Sequence, residues 1–179
     1  MKLLVNNGNN NSLETKNYLN QSILHMAAYG GDLPTFKFLF WRISEKEPND
    51  NFGNKPLHIS AKNGHLNIVK FLMNKTRTTK QPKNFDGDLP LHSAASSGQL
   101  EVVEFLFPNT SSIEPRNNEQ STPLHLTAKN GNFIVGQKIK KVQAKKTLEI
   151  SFTKKFFDQI PFFAISKMAK NQFLNWEKV

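Results

Sequence analysis

Residues 122–128 read Thr-Pro-Leu-His-Leu-Thr-Ala, and three variants of that heptad stand upstream of it: Ser-Ile-Leu-His-Met-Ala-Ala at 22–28, Lys-Pro-Leu-His-Ile-Ser-Ala at 55–61 and Leu-Pro-Leu-His-Ser-Ala-Ala at 89–95. Their histidines, His25, His58, His92 and His125, are 33, 34 and 33 residues apart. A period in that range identifies a repeat architecture before any element is assigned. Other positions keep the same phase. Three residues after each histidine stands Ala28, Ala61, Ala95 or Ala128; six after stands Gly31, Gly64, Gly98 or Gly131; eight before stands Asn17, Asp50, Asn84 or Asn117.

Each of these positions has a physical task in a unit made of a turn and two helices. Proline suits the first helical residue, where its missing N–H costs nothing, and a hydroxyl before it caps the orphan N–H groups of the first turn. Ser22 and Thr122 supply that hydroxyl. Lys55 and Leu89 do not, so their helix starts are expected to be weaker by on the order of 1 kcal/mol. The alanines allow close helix approach, and the glycine supplies a left-handed residue to end the first helix. A second amphipathic helix follows, with Leu66, Ile68, Val69, Phe71 and Leu72 in one copy and Leu100, Val102, Val103, Phe105 and Leu106 in the next. Pro108 stops the latter.

The stretches 122–128 and Gly64-His-Leu-Asn-Ile-Val-Lys-Phe-Leu72 resemble the ankyrin repeat, over about residues 17–137. The resemblance implies an all-α repeat solenoid with β-hairpin loops between its helix pairs, about four repeats long. Its expected divisions are a remnant of a preceding repeat at 1–16, repeats at 17–49, 50–83 and 84–116, an incomplete repeat at 117–139, and a basic Phe/Lys-rich tail at 140–179. It further implies a non-enzymatic, cofactor-free module that binds another protein on a concave surface, as an adaptor or scaffold. The alternative is a regulatory segment of a larger multidomain protein such as an ion channel or signalling enzyme.

In such repeats the contacts come from hairpin tips and the exposed side of the first helix. Carried onto this chain, the tip positions are Tyr18, Asn51, Phe52, Asn54, Phe85, Asp86, Asp88, Asn118, Glu119 and Ser121. The helix positions are Tyr29, Lys62, Asn63, Ser96, Ser97 and Lys129. The aromatics among them, which the fold does not need for its core, are natural partner anchors; the competing reading is that some tuck against the next hairpin.

Composition limits the other classes. The chain has no cysteine, which removes disulfides, thiolate metal sites and cysteine nucleophiles, and it has no apolar run near the roughly 20 residues of a membrane span. The start lacks the apolar stretch of a signal peptide, so the cytoplasm is the expected location, with the nucleus also open. The net charge of +10 lies mostly beyond Gln137, where ten lysines face Glu149, Asp158 and Glu177. A nucleic-acid or membrane partner is therefore expected only through the tail, and a small-molecule substrate is not expected. Four histidines invite a metal, but in a linear stack they form a ladder and do not converge, so they are expected to bond backbone. The Asn-X-Ser/Thr matches at Asn10, Asn20, Asn74 and Asn109 are coincidences of an asparagine-rich chain.

Both ends of the array depart from the pattern. Lys2–Gly8 resembles the end of a second helix and its turn, with the helix before it missing. In the fourth copy Gly136 and Lys138 replace the apolar residues of the earlier copies, so the second helix is expected to lose its core face there. These irregularities suggest a fragment of a longer protein or a truncated gene model. Three readings of the tail stay open: a capping helix built on Phe162, Ile165, Ala169, Phe173 and Trp176; a basic amphipathic segment for an anionic surface; or translated non-coding sequence.

Overall fold

A computed structural model describes residues 13–75 and 82–158, with side chains through Ser151. The Lys2–Gly8 stub and the Phe162–Trp176 stripe lie outside the described residues. The chain divides into two compact units, Met1–Val142 and Gln143–Val179.

Among the described residues the structure is helical: α1 (Ile23–Gly30), α2 (Leu33–Arg42), α3 (Pro56–Lys62), α4 (Leu66–Lys75), α5 (Pro90–Ser96), α6 (Leu100–Leu106), α7 (Pro123–Lys129) and α8 (Phe133–Asp158). A 3-10 turn at Phe107–Asn109, built around Pro108, ends the third pair. In the first unit the odd-numbered helices stack in chain order, α1 on α3, α3 on α5 and α5 on α7, while α2, α4 and α6 form the layer behind them. This is the repeat solenoid expected from the 33-residue period. The hairpin loops are reduced to their turns, since among the described residues the one β-bridge joins Lys16 and Ser22.

The core is a set of columns, each made of one repeat position. Leu24, Leu57 and Leu91 follow the helix-opening residue, and all are buried, as are Ala28, Ala61 and Ala95 one turn on. The second helices add Phe36, Val69 and Val103, the Ile68 and Val102 pair, and Leu39, Leu72 and Leu106. Fully burying one such side chain stabilises by roughly 1.5–3 kcal/mol.

The fourth repeat corrects one expectation. Its second helix does not lose its core face, because Val135 falls in the Ile68–Val102 column and Ile139 in the Leu39–Leu72–Leu106 column, and both are buried. Gly136 interrupts only the third column. There it is buried, and a Cβ on it would come within 2.9 Å of Thr127 Oγ1, so the glycine lets α8 lie against α7. Lys138 turns outward to an ion pair with Glu104.

In the second unit the described part is the continuation of α8 from Gln143 to Asp158. It carries the exposed pair Lys145–Glu149 at one helical turn, and Thr147 Oγ1 and Ser151 Oγ donate back to the carbonyls of Gln143 and Leu148. No described helix is long and apolar enough to cross a membrane.

Candidate functional site: turn tips and the first-helix face

Each turn tip is five residues long and opens on the asparagine or aspartate that lies eight before the histidine. The N–H of that residue donates to the carbonyl four residues on: Asn17 to Gln21, Asp50 to Asn54, Asn84 to Asp88 and Asn117 to Ser121, at 3.0–3.1 Å. Its side-chain oxygen meanwhile accepts inside the turn, as Asp50 Oδ1 does from the N–H groups of Phe52 and Asn54. A short polar side chain is required here because only it reaches its own backbone two residues on. The fourth tip position is left-handed in every copy, with Gly53 and Gly87 in the middle repeats and Asn20 and Gln120 in the outer ones.

Neighbouring tips are bonded in a fixed register. The second-position N–H of one tip donates to the third-position carbonyl of the tip before it: Asn51 to Leu19, Phe85 to Phe52 and Asn118 to Asp86, at 2.9–3.0 Å. Asn51 Nδ2 and Asn118 Nδ2 reinforce the contact by donating to the carbonyls of Tyr18 and Phe85.

The histidines hold the tips to the helices. The N–H groups of Ser22, Lys55, Leu89 and Thr122 donate to Nδ1 of His25, His58, His92 and His125 at 3.1–3.2 Å. A backbone N–H can only donate, so Nδ1 is unprotonated and Nε2 carries the hydrogen. In the first three copies Nε2 donates onward to the next tip, at Asn54 O (2.8 Å), Asp88 O (3.0 Å) and Ser121 O (3.3 Å). Burial, the dominant influence, pushes these three imidazoles below their ordinary value, His58 to about 4. They are neutral structural ties. No group of three potential ligands gathers to hold a metal among the described residues.

A second ladder of ties was not visible from the sequence. The residue after each helix-ending glycine reaches back across the glycine of the repeat before it: His65 Nε2 to Tyr29 O at 2.9 Å, Gln99 Nε2 to Lys62 O at 3.2 Å, and Asn132 Nδ2 to the carbonyls of Ala95 and Ser96. These side chains fill the space where a Cβ on Gly31, Gly64 or Gly98 would stand. The only signal was a donor-bearing side chain at the same phase in three copies, of three different residue types.

Against this scaffold the expected contact residues fall into two groups. Asn51 and Asn118 spend their side chains between tips. Asn54 bonds Asp50 and Asn84, and Asp88 accepts from Asn117. Asn63 donates to Ile59 O, and Ser96 accepts from Asn130. Ser121 gives its carbonyl to His92, and Ser97 continues the backbone bonding of its helix end. The second group, Tyr18, Tyr29, Phe52, Phe85, Lys62, Asp86, Glu119 and Lys129, has exposed side chains with no hydrogen bond among the described residues.

The aromatics divide between the two readings that the sequence left open. Tyr18, Tyr29, Phe52 and Phe85 are 88%, 64%, 55% and 66% exposed. Phe85 nevertheless lies over the preceding turn, its ring within 2.5–2.8 Å of where a Gly53 Cβ would be. It is a tucked ring with one open face.

Between the second and third repeats the tips and first helices enclose a groove of about 330 Å³. Phe52, Lys62 and Asp86 stand at it, with Asp88 and the hydroxyls of Ser93, Ser96 and Ser97. Such a hollow suits one or two side chains of a partner, an apolar or cationic body against Phe52 and hydrogen-bonding groups against the serines and carboxylates.

Residues 24–118 match the family model described as ankyrin repeats, in three copies, which covers more than half of the chain. No curated protein matches the chain.

Proposed function

The chain belongs to the ankyrin-repeat family, whose repeats serve as protein–protein interaction modules, and from that premise we propose that it acts as an adaptor or scaffold that holds a partner protein in the groove between its second and third repeats. One observation carries the proposal: the groove at Phe52, Lys62, Asp86, Ser96 and Ser97 combines apolar, charged and hydroxyl groups in one hollow of about 330 Å³. Phe52 is the expected anchor, because a rigid ring exposed at the rim of a pocket contributes contact area at little entropic cost. A cytosolic or nuclear setting is part of the proposal, supported by a cysteine-free composition.

The test is affinity capture with the whole chain, followed by cross-linking to locate the contact. Phe52→Ala with Asp86→Ala should reduce capture of the cross-linked partner by at least about tenfold, the expected cost of losing an interface anchor. Thermal unfolding of that variant should stay close to the parent's, since both side chains are largely exposed. Undiminished capture, or cross-links confined to other faces, would refute the choice of surface.

A further inference from the structure

The back of the array carries a second surface, which the repeat pattern conceals. Summed over all repeats the charge is small, yet residues 50–83 hold seven lysines and arginines against Asp50 alone, while residues 84–116 hold five acidic residues against Arg116. Part of the positive charge stands on α4, beside α2. Neither helix contains an aspartate or glutamate.

Lys37 and Arg42 of α2, and Lys70 and Lys75 of α4, occupy equivalent positions one repeat apart, and all four are exposed. On each helix the two cations are five residues apart, about 7.5 Å along the axis and, at 3.6 residues per turn, about 140° around it, so they stand at opposite margins of its exposed side. Between them stand exposed Trp41 (62%) and Phe38 (46%) and half-buried Phe71.

The cations are held over the rings. Lys37 Nζ lies 5.7 Å from the Phe71 centroid, Lys75 Nζ 5.7 Å from Trp41, Lys70 Nζ 5.6 Å from Phe105, and the Arg42 guanidinium 3.6 Å from Phe38. Beneath, Trp41 and Phe71 pack edge-on against Phe40, and Phe36 against Phe71, so the rings are braced by the core. Exposed aromatics fixed from below, with long cationic side chains preplaced on them, cost little entropy to bind against.

We propose that this face of α2 and α4 docks a short acidic segment of a protein partner, its carboxylates on the four cations and an apolar side chain on Trp41 and Phe38. The surface lies on the second helices, apart from the groove, so it goes beyond the function proposed above. Charge complementarity sets the sign of the occupant, and the boundary sets its size. On the α6 side the same row continues as Glu104, which Lys138 pairs, with exposed Glu101 one turn before it, so a long polyanion laid across the helices meets acidic groups there. A segment spanning two helices meets only cations. Trp and Arg are also the side chains that dominate protein-binding energetics.

The test uses fluorescence anisotropy on the whole chain, with a short labelled peptide in which glutamates alternate with leucine and phenylalanine. Charge reversal at Lys37, Arg42, Lys70 and Lys75 to glutamate should weaken binding by at least about tenfold. The same reversal at Lys140, Lys141, Lys145 and Lys146 should change it by less than about twofold. Trp41→Ala alone, which keeps every charge, should also weaken binding. Circular dichroism checks that each variant is folded. Phe52→Ala with Asp86→Ala should leave this binding unchanged, which separates it from the groove. Equal losses from both charge reversals would show a diffuse field and overturn the proposal. So would tighter, patch-dependent binding to a single-stranded oligonucleotide or to phosphatidylserine vesicles, or no peptide binding by the parent.

Discussion

His92 and His125 stand at the same place in the repeat, each on the third residue of a helix that opens on proline and leucine, yet the first is fully buried and the second exposed. The same division recurs at two further positions of the motif. Ala95 is buried and Ala128 exposed; the space above Gly98 is filled by Asn132 while that above Gly131 has nothing within 4 Å. His92 donates to a tip carbonyl of the following repeat, and His125 Nε2 has no partner among the described residues. The third and fourth repeats show that a motif residue takes its energetic value from the neighbouring repeat. Its own repeat supplies only the position.

The largest expected contrast is between equivalent histidines. His58→Ala removes the buried ring and leaves the part-buried Lys55 N–H without its acceptor and the Asp88 carbonyl with only the Asn84 N–H, and should cost on the order of 3 kcal/mol from lost bonds and packing together. His125→Ala, which disturbs only the N-cap side, should cost about 1 kcal/mol. Urea unfolding measures both, and equal costs would break the comparison.

A comparable effect follows from pH. An imidazole held neutral in the fold binds fewer protons than its unfolded counterpart, so its stabilisation is complete above about pH 6.5 and is lost as pH falls toward its folded value. For His58, at about 4, that amounts to roughly 3 kcal/mol across the window, at 1.36 kcal/mol per unit. His25 and His92 act in the same direction. Stability measured from pH 7 to 4 should fall steeply in the parent and less steeply in a folded His58→Asn variant. Parallel curves would sink the assignment of His58 as a buried neutral tie.

The glycines offer a smaller test. Gly98 and Gly131 both have left-handed φ, 74° and 72°, so alanine at either costs about 1–2 kcal/mol of backbone strain. At Gly98 the new Cβ would also stand 2.8 Å from Asn132 Oδ1 and press it off the Ala95 and Ser96 carbonyls, adding about 1 kcal/mol. Gly98→Ala should therefore be the more destabilising in thermal unfolding. A larger loss from Gly131→Ala would mean that its open seat is not open in solution.

The smallest effect should be a gain. Gln120 holds a φ of 61° where Gly53 and Gly87 stand in the middle repeats. Gln120→Gly relieves the left-handed strain and loses some of it to chain entropy, for a net stabilisation of roughly 0.5–1 kcal/mol. An unfolding midpoint that falls would show that the Gln120 side chain stabilises the turn by more than its backbone strain costs.

Much of the fold was legible in the sequence because its signals are local and recur. Proline before leucine and histidine marks a helix start, glycine six residues on marks its end, and an asparagine or aspartate eight residues before marks the turn. The candidate site was legible as a set of positions. Which of them hold side chains clear of the scaffold was not, because Asn51, Asn54, Asp88 and Asn118 are consumed by bonds to residues 29–33 away in sequence. Aligning the fourth copy by single positions also misjudged its second helix. Gly136 breaks one core column while Val135 and Ile139 preserve two others, and helical packing depends on the whole stripe.

The sequence by itself determined the period, the helix pairs, the residues that open and close each helix, and the column that each apolar residue joins. These follow from backbone preferences and amphipathic spacing within one unit. Only the tertiary structure decided which copy of a shared residue is buried, which imidazole nitrogen carries the proton, and that Lys37 of α2 lies over Phe71 of α4 while Lys75 of α4 lies over Trp41 of α2. Those outcomes depend on what the adjacent unit places against each side chain, and stacking brings together residues about one period apart that no local pattern links.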